Sequence, residues 1–372
     1  MAPSQSATDD RARRKVVGIN KETVTNITST DFPLHHPGED HSWSLSKFRN
    51  ALSVHVHSNS YDEAVFSLVG IDASLSNAFR RILLAEIPTL AIERVYVRNN
   101  TSVIADEVLA HRLGLIPLKG NLEFLREMKW FVPKNEEENF EGMERTDYNT
   151  AQFELKVKCT VNPDAPHDAE PVEKYFHRHV YSRDLEWVPI AGRQASYVEN
   201  GPLEPVSPDI IIAKLRPDQE LDMTLHAHIG IGKDHAKFSP VATATYRLLP
   251  LITITQPILG SDARKFQQCF PSGVIDLERV TPSDAKSIPE CEGREGDEKA
   301  VVKDAFKDTV SRECLRHEEF QGKVKLGRVQ DHFIFSIEST GQFPSDDLFL
   351  QSVDVLRKKA KRLLRALDEI DQ

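Results

Sequence analysis

The chain is poor in the features that usually announce chemistry. Its four cysteines, Cys159, Cys269, Cys291 and Cys314, lie far apart with no C-x-x-C pair. That spacing argues against a disulfide framework and fits a reducing compartment. No run of eighteen apolar residues exists, so no transmembrane helix is expected. The N-terminus lacks an apolar core and a cleavage site and does not read as a secretory signal. Net positive charge is missing as well. A formal charge of −10 suits poorly a molecule that grips nucleic acid over its whole surface. No G-x-x-x-x-G-K-[ST] phosphate loop occurs anywhere.

What is present reads as a globular chain of two or three domains, 372 residues long. Its most ordered pattern is residues 72–88, DASLSNAFRRILLAEIP. Leu75, Ala78, Phe79, Ile82 and Leu83 follow the i, i+3, i+4, i+7, i+8 spacing of one helix face. Asp72 or Ser74 caps the start, and Pro88 cannot continue the ladder. Arg80 and Arg81 lie off that face with Asn77 beside them. Phe79, Ile82 and Leu83 each gain about 1.5–3 kcal/mol on full burial, so the face must meet something.

A second long helix is expected over 345–371. Phe349, Val353, Leu356, Ala360, Leu363, Leu367 and Ile370 are spaced 4, 3, 4, 3, 4, 3, an a/d heptad seam. A strict 3.5-residue seam favours a helix partner; packing on the chain's own core is the alternative.

Between these helices the reading is mixed. Residues 1–44 are polar and read as a tail that orders only against a partner. Residues 51–57 (ALSVHVH) alternate, with Leu52, Val54 and Val56 expected inward. A strand follows over 64–69. Residues 91–98 form a strand, and 104–113 a helix with Ile104, Val108 and Leu113 on one face. The clearest strand is 152–161, with Phe153, Leu155, Val157, Cys159 and Val161 pointing one way. An acidic loop (136–144) and a Pro-rich loop (163–171) separate elements, and 185–190, 210–215 and 221–229 add strands. Residues 92–234 thus read as an α+β insert. Residues 241–255 are β-rich and interrupted at Pro250. Residues 299–319 are amphipathic, with Val302, Phe306, Val310 and Cys314 at helical spacing, and 332–338 is the last strand.

Candidate sites are few. His226 and His228 alternate on a strand near Asp222, a pattern that fits a solvated strand face better than a metal site lacking a third ligand. His55 with His57, and His177 with His179, read the same way. Residues 230–236 spell GxGxxxA after a strand but lack the third small residue of a dinucleotide fingerprint, and Pro240 follows. Catalytic, cofactor-binding and metal residues are therefore expected to be none. Basic runs at 11–15 (RARRK) and 357–365 (RKKAKRLLR) fit solvated surfaces, the first equally a localisation signal.

The wording of two stretches says more than their periodicity. LSNAFRRILLAEIP, followed by AIERVYV and ADEVLAHRLGLIPL, resembles the signature helix of the alpha-type subunits of cellular RNA polymerases. GIGKDHAKFSPVATATYRLLP at 230–250 resembles the matching signature of the larger alpha-like subunits of the eukaryotic enzymes. Together they are similar to the RNA polymerase alpha/D family, in the form shared by nuclear RNA polymerases I and III. The resemblance implies an α+β fold: a discontinuous dimerisation domain (48–91, 235–260, 324–372) after a tail (1–47), an inserted α+β domain (92–234), and a small ferredoxin-like accessory domain (261–323).

It further implies a non-catalytic assembly subunit, since no D-x-D-x-D site for two Mg²⁺ ions is present. Cys269, Cys291 and Cys314 are too sparse for the iron–sulfur cluster of some relatives, and the insert lacks the zinc cysteines of the polymerase II counterpart. Implied partners are the smaller alpha-like subunit, the second-largest subunit and a small zinc-binding subunit, with DNA reached only through the complex, in the nucleus and nucleolus. The interface would use Leu75, Phe79, Arg80, Arg81, Ile82, Leu83, Phe349, Val353, Leu356, Leu363, Leu367 and Ile370. A homodimeric scaffold using the same helices is the main rival; a small-molecule enzyme built around the Gly230–Gly232 turn is another.

Overall fold

The computed structural model describes residues 15–27, 42–132, 144–166, 170–190, 192–198 and 201–370. Most of the basic run 11–15, nearly all of the acidic loop and part of the Pro-rich loop lie outside them. The protein is α+β and divides into two compact units.

The first unit takes the described residues within Met1–Val56 together with Phe66–Ser76 and Tyr246–Phe335. Its frame is a mixed-length sheet in the order Val24–Thr25, Val16–Ile19, Val324–Ser339, Glu63–Val69, Ser53–Asn59, with Val241–Ile254 also paired to Val324–Ser339. Part of the expected tail is therefore ordered within the chain: Val16–Ile19 runs antiparallel to Val324–Ser339, with Gly18 opposite Gly327. One face of these strands buries Ile19, Ile252, Val324 and Leu326 against Ala263, Phe266, Phe270 and Phe320. Elsewhere Phe66 stacks on Phe335 at 5.5 Å. Pro250 does not interrupt its strand, which among the described residues pairs with Val324–Ser339 only; a missing N–H is tolerated where one side has no neighbour.

Two expectations fail here for physical reasons. Ser53–Asn59 is the last strand of the sheet, and Leu52, Val54 and Val56 are exposed, because nothing among the described residues covers them. Residues 299–319 are not a helix. Glu298–Val302 is a strand paired with Ile275–Arg279, and single 3₁₀ turns follow. Val310 takes φ +65°, which no right-handed helix accommodates, and Arg247 donates both guanidinium Nη groups to the carbonyls of Phe306 and Asp308.

The second unit takes His57–Val65, Asn77–Thr245 and Ser336–Gln372. Its sheet runs Glu186–Val188, Ala151–Lys158, Glu220–Gly230, Thr89–Asn100, all antiparallel. The strand that leads into residues 92–234 thus pairs with the one that leads out. Phe153, Leu155, Leu221, Met223 and Leu225 fill its buried face. Val161 breaks from the expected row and is exposed beyond the end of the strand. The helix Asp106–Gly114 buries Leu109 and Leu113, an i, i+4 pair, and leaves Val108 in solvent. Gln342 is buried and donates to the Leu90 and Leu118 carbonyls at 3.0 and 3.2 Å.

The face carrying His226 and His228 is not solvated. Both rings are buried. Phe131 stacks on His228 at 4.3 Å, while Tyr96 lies 4.9 Å from His226 with the Arg145 guanidinium over its ring. The chain on either side of the acidic loop therefore forms the lid that the alternation pattern could not reveal. His228 donates Nδ1–H to the Asn149 carbonyl at 2.9 Å, which sets its tautomer. Burial, aided by Arg145, pushes the His226 imidazole down to about 4 from its ordinary 6.5. Between those values the unfolded chain binds the proton and the folded one does not, so stability falls as pH drops from 6.5 toward 4. His226→Gln should flatten this part of the pH dependence by about 2 kcal/mol, read from urea unfolding free energies of the two proteins at pH 7 and pH 4.5.

Candidate interaction surface

The signature helix is Ala73–Ala85. Asp72 accepts the Ser74 N–H at 2.8 Å and closes its start; contact with Ser74 holds the Asp72 carboxyl below the usual range. At the other end the Lys233 N–H donates to the Ala85 carbonyl at 3.0 Å. The neighbouring Gly232 lies so close that a Cβ there would collide with the Leu84 carbonyl. The Gly230–Gly232 turn therefore needs glycine for close backbone approach. Arg80 donates Nε and Nη2 to Asn77 Oδ1 at 3.2 and 2.8 Å, while Arg81 is exposed.

The apolar face is divided in use. Ile82 is 2% and Leu83 0% exposed, so within this chain both side chains are buried in its own core. Leu75 and Phe79 are half-buried. Phe79 meets Phe349 edge-to-face, centroids 5.3 Å apart, so the two long helices pack on each other within the chain.

The C-terminal helix, Ser345–Ile370, is also divided. Its start is anchored: the Ser345 N–H donates to the Tyr61 carbonyl at 2.9 Å, its hydroxyl to the Ser60 carbonyl at 2.7 Å, and Leu348 and Ser352 are fully buried. Arg126 donates to both carboxylate oxygens of Asp347 at 2.8 Å, and Lys359 to both of Glu86 at 2.8 Å. Leu356 is half-buried and Val353 borderline exposed. From Arg357 to the end every described residue is exposed, a projection of about 21 Å. Leu363 at 68%, Leu367 at 57% and Ile370 at 79% carry the seam into solvent, with Leu364 beside them. Own-core packing thus holds for the first half of the helix and ends before the second.

Among the described residues no group of three or more His, Cys, Asp or Glu side chains is placed to hold a metal ion, and all four cysteines are free thiols. Burial raises the Cys314 thiol to about 12, which removes its thiolate at neutral pH. What sequence reasoning missed is the Phe79–Phe349 contact. Both rings stood on the predicted faces, but nothing in the spacing says that the faces meet each other.

Comparison with known proteins gives the family. A family model described as the RNA polymerase Rpb3/Rpb11 dimerisation domain matches residues 65–360, from before the signature helix into the C-terminal one. The chain is 49% identical to the Saccharomyces cerevisiae DNA-directed RNA polymerases I and III subunit RPAC1, over 94% of this chain and 97% of that protein. Identity to the Homo sapiens protein of the same name is 43%, over 100% and 99%. The Dictyostelium discoideum DNA-directed RNA polymerase II subunit rpb3 is 30% identical over 80% of this chain and 89% of its own length.

The division of the two helices separates stability from surface. Leu83→Ala should cost about 2–5 kcal/mol of folding stability, whereas Leu363→Glu should leave it within about 0.5 kcal/mol, both measured by denaturant unfolding of the chain alone.

Proposed function

The chain belongs to the RNA polymerase alpha/D family, whose Rpb3/Rpb11 dimerisation model spans most of its length, and on that premise we propose that it serves as the larger alpha-like subunit of RNA polymerases I and III. In this role it does no bond-making chemistry. It pairs with the smaller alpha-like subunit through the projecting C-terminal helix and the half-buried part of the signature helix. The pair then offers a platform for the second-largest subunit and a small zinc-binding subunit, in enzymes that transcribe rRNA, tRNA and 5S RNA in the nucleus and nucleolus. Residues 48–91, 235–260 and 324–372 act as its dimerisation domain, with 92–234 as insert and 261–323 as accessory domain.

One observation carries the reading. Leu363, Leu364, Leu367 and Ile370 stand in solvent on a helix whose earlier turns are packed. Each forgoes about 1.5–3 kcal/mol until another chain covers it. Arg80 and Arg81, off the apolar face of the signature helix, would supply hydrogen bonds where neighbouring subunits meet.

Co-expression with the smaller alpha-like subunit tests this. Leu363→Glu with Leu367→Glu should weaken pairing by about 100-fold or more while the chain itself stays folded. Pairing that survives the double change misplaces the surface. A stable homodimer in sedimentation of the chain alone, lost in the same variant, would favour the homodimeric scaffold.

A further inference from the structure

In the sheet of the first unit, Val17, Ile19, Val24, Ile252, Ile254, Val324 and Leu326 pack into one core. A groove of about 770 Å³ runs beside this sheet, lined by Val16, Gly18, Thr25, Leu251, Thr253 and Lys325 together with Ile19, Phe320, Val324 and Leu326 of that core. Gly18 and Gly327 face each other at its centre. A Cβ at 18 would strike Thr25 and one at 327 would strike Val16, so glycine alone lets those side chains lie over the strand pair and keeps the groove shallow and open.

The lining is amphipathic along its length. Leu251 and Val16 supply exposed or half-exposed apolar surface; Lys21 and Lys325 stand exposed at the end near Asn20. Neither lysine has an ion-pair partner among the described residues, in a chain whose net charge is −10. Arg312 donates to the Lys21 carbonyl at 3.3 Å and adds positive charge there. Val24–Thr25, the outermost strand, has no strand on its outer side among the described residues.

We propose that this groove seats an extended acidic segment of a partner polypeptide, its aliphatic side chains on Leu251 and Val16 and its carboxylates on Lys21 and Lys325. A second copy of the chain is the poorer occupant, because a two-fold contact would set the lysines of each copy against their own counterparts. The surface is separate from the C-terminal helix and does not depend on the pairing proposed above.

The test uses the purified full chain and a fluorescein-labelled decapeptide alternating Glu with Leu, followed by fluorescence anisotropy. Binding is expected, weakening at least tenfold in Lys21→Glu/Lys325→Glu and at least tenfold between 50 and 300 mM salt, with the melting temperature unchanged. Leu363→Glu/Leu367→Glu should bind the peptide as the parent does, which separates the groove from the helix seam. Three results would overturn the proposal: no binding, equal binding of the matching Lys/Leu peptide, or equal binding by the lysine variant. Concentration-dependent dimerisation that the lysine variant abolishes would assign the groove to a second copy instead.

Discussion

Two amphipathic helices here carry more apolar surface than the sheets beside them can hide. Everything distinctive about the second unit follows from how that excess is shared. The signature helix gives Ile82 and Leu83 wholly to the core and only part of Leu75 and Phe79 to the outside. Phe79 then meets Phe349, which ties the first turns of the C-terminal helix to the same core. With its root fixed by Ser345, Leu348 and the Lys359–Glu86 pair, the helix can extend over three turns beyond any support. A projecting apolar helix is unfavourable in water, and its rigid root lowers the ordering cost when another surface covers it.

The parts that were legible in the chain are those where one physical rule acts alone. The heptad seam is read from spacing, and the helix follows it within a residue of each end. Strand Ala151–Lys158 alternates in burial as its sequence alternates. The cap on Asp72 and the stop at Pro88 are local chemistry, visible without knowledge of the fold.

The misreadings share a cause: a second layer, or its absence, that no local pattern encodes. His226 and His228 look like the wet side of a strand, yet Phe131 and the chain near Asn149 cover them. Val54 and Val56 look like core, yet nothing among the described residues covers them. Residues 299–319 have helical spacing, but Val310 sits where a helix cannot, and Arg247 holds the carbonyls that a helix would have used. Ile82 and Leu83 were correctly placed on an apolar face; spacing cannot divide such a face between its own core and another molecule's.

The closure of the signature helix has a temporal side. The N–H that donates to the Ala85 carbonyl belongs to Lys233, which leaves the ribosome after a further 148 residues (233 − 85). At about 5–20 residues per second that is a wait of roughly 7–30 s. Throughout it the Ala85 carbonyl lacks the N–H that closes the helix in the folded chain. The end of the helix nearest the start of the chain can close first, and its other end only once most of the polypeptide has been made.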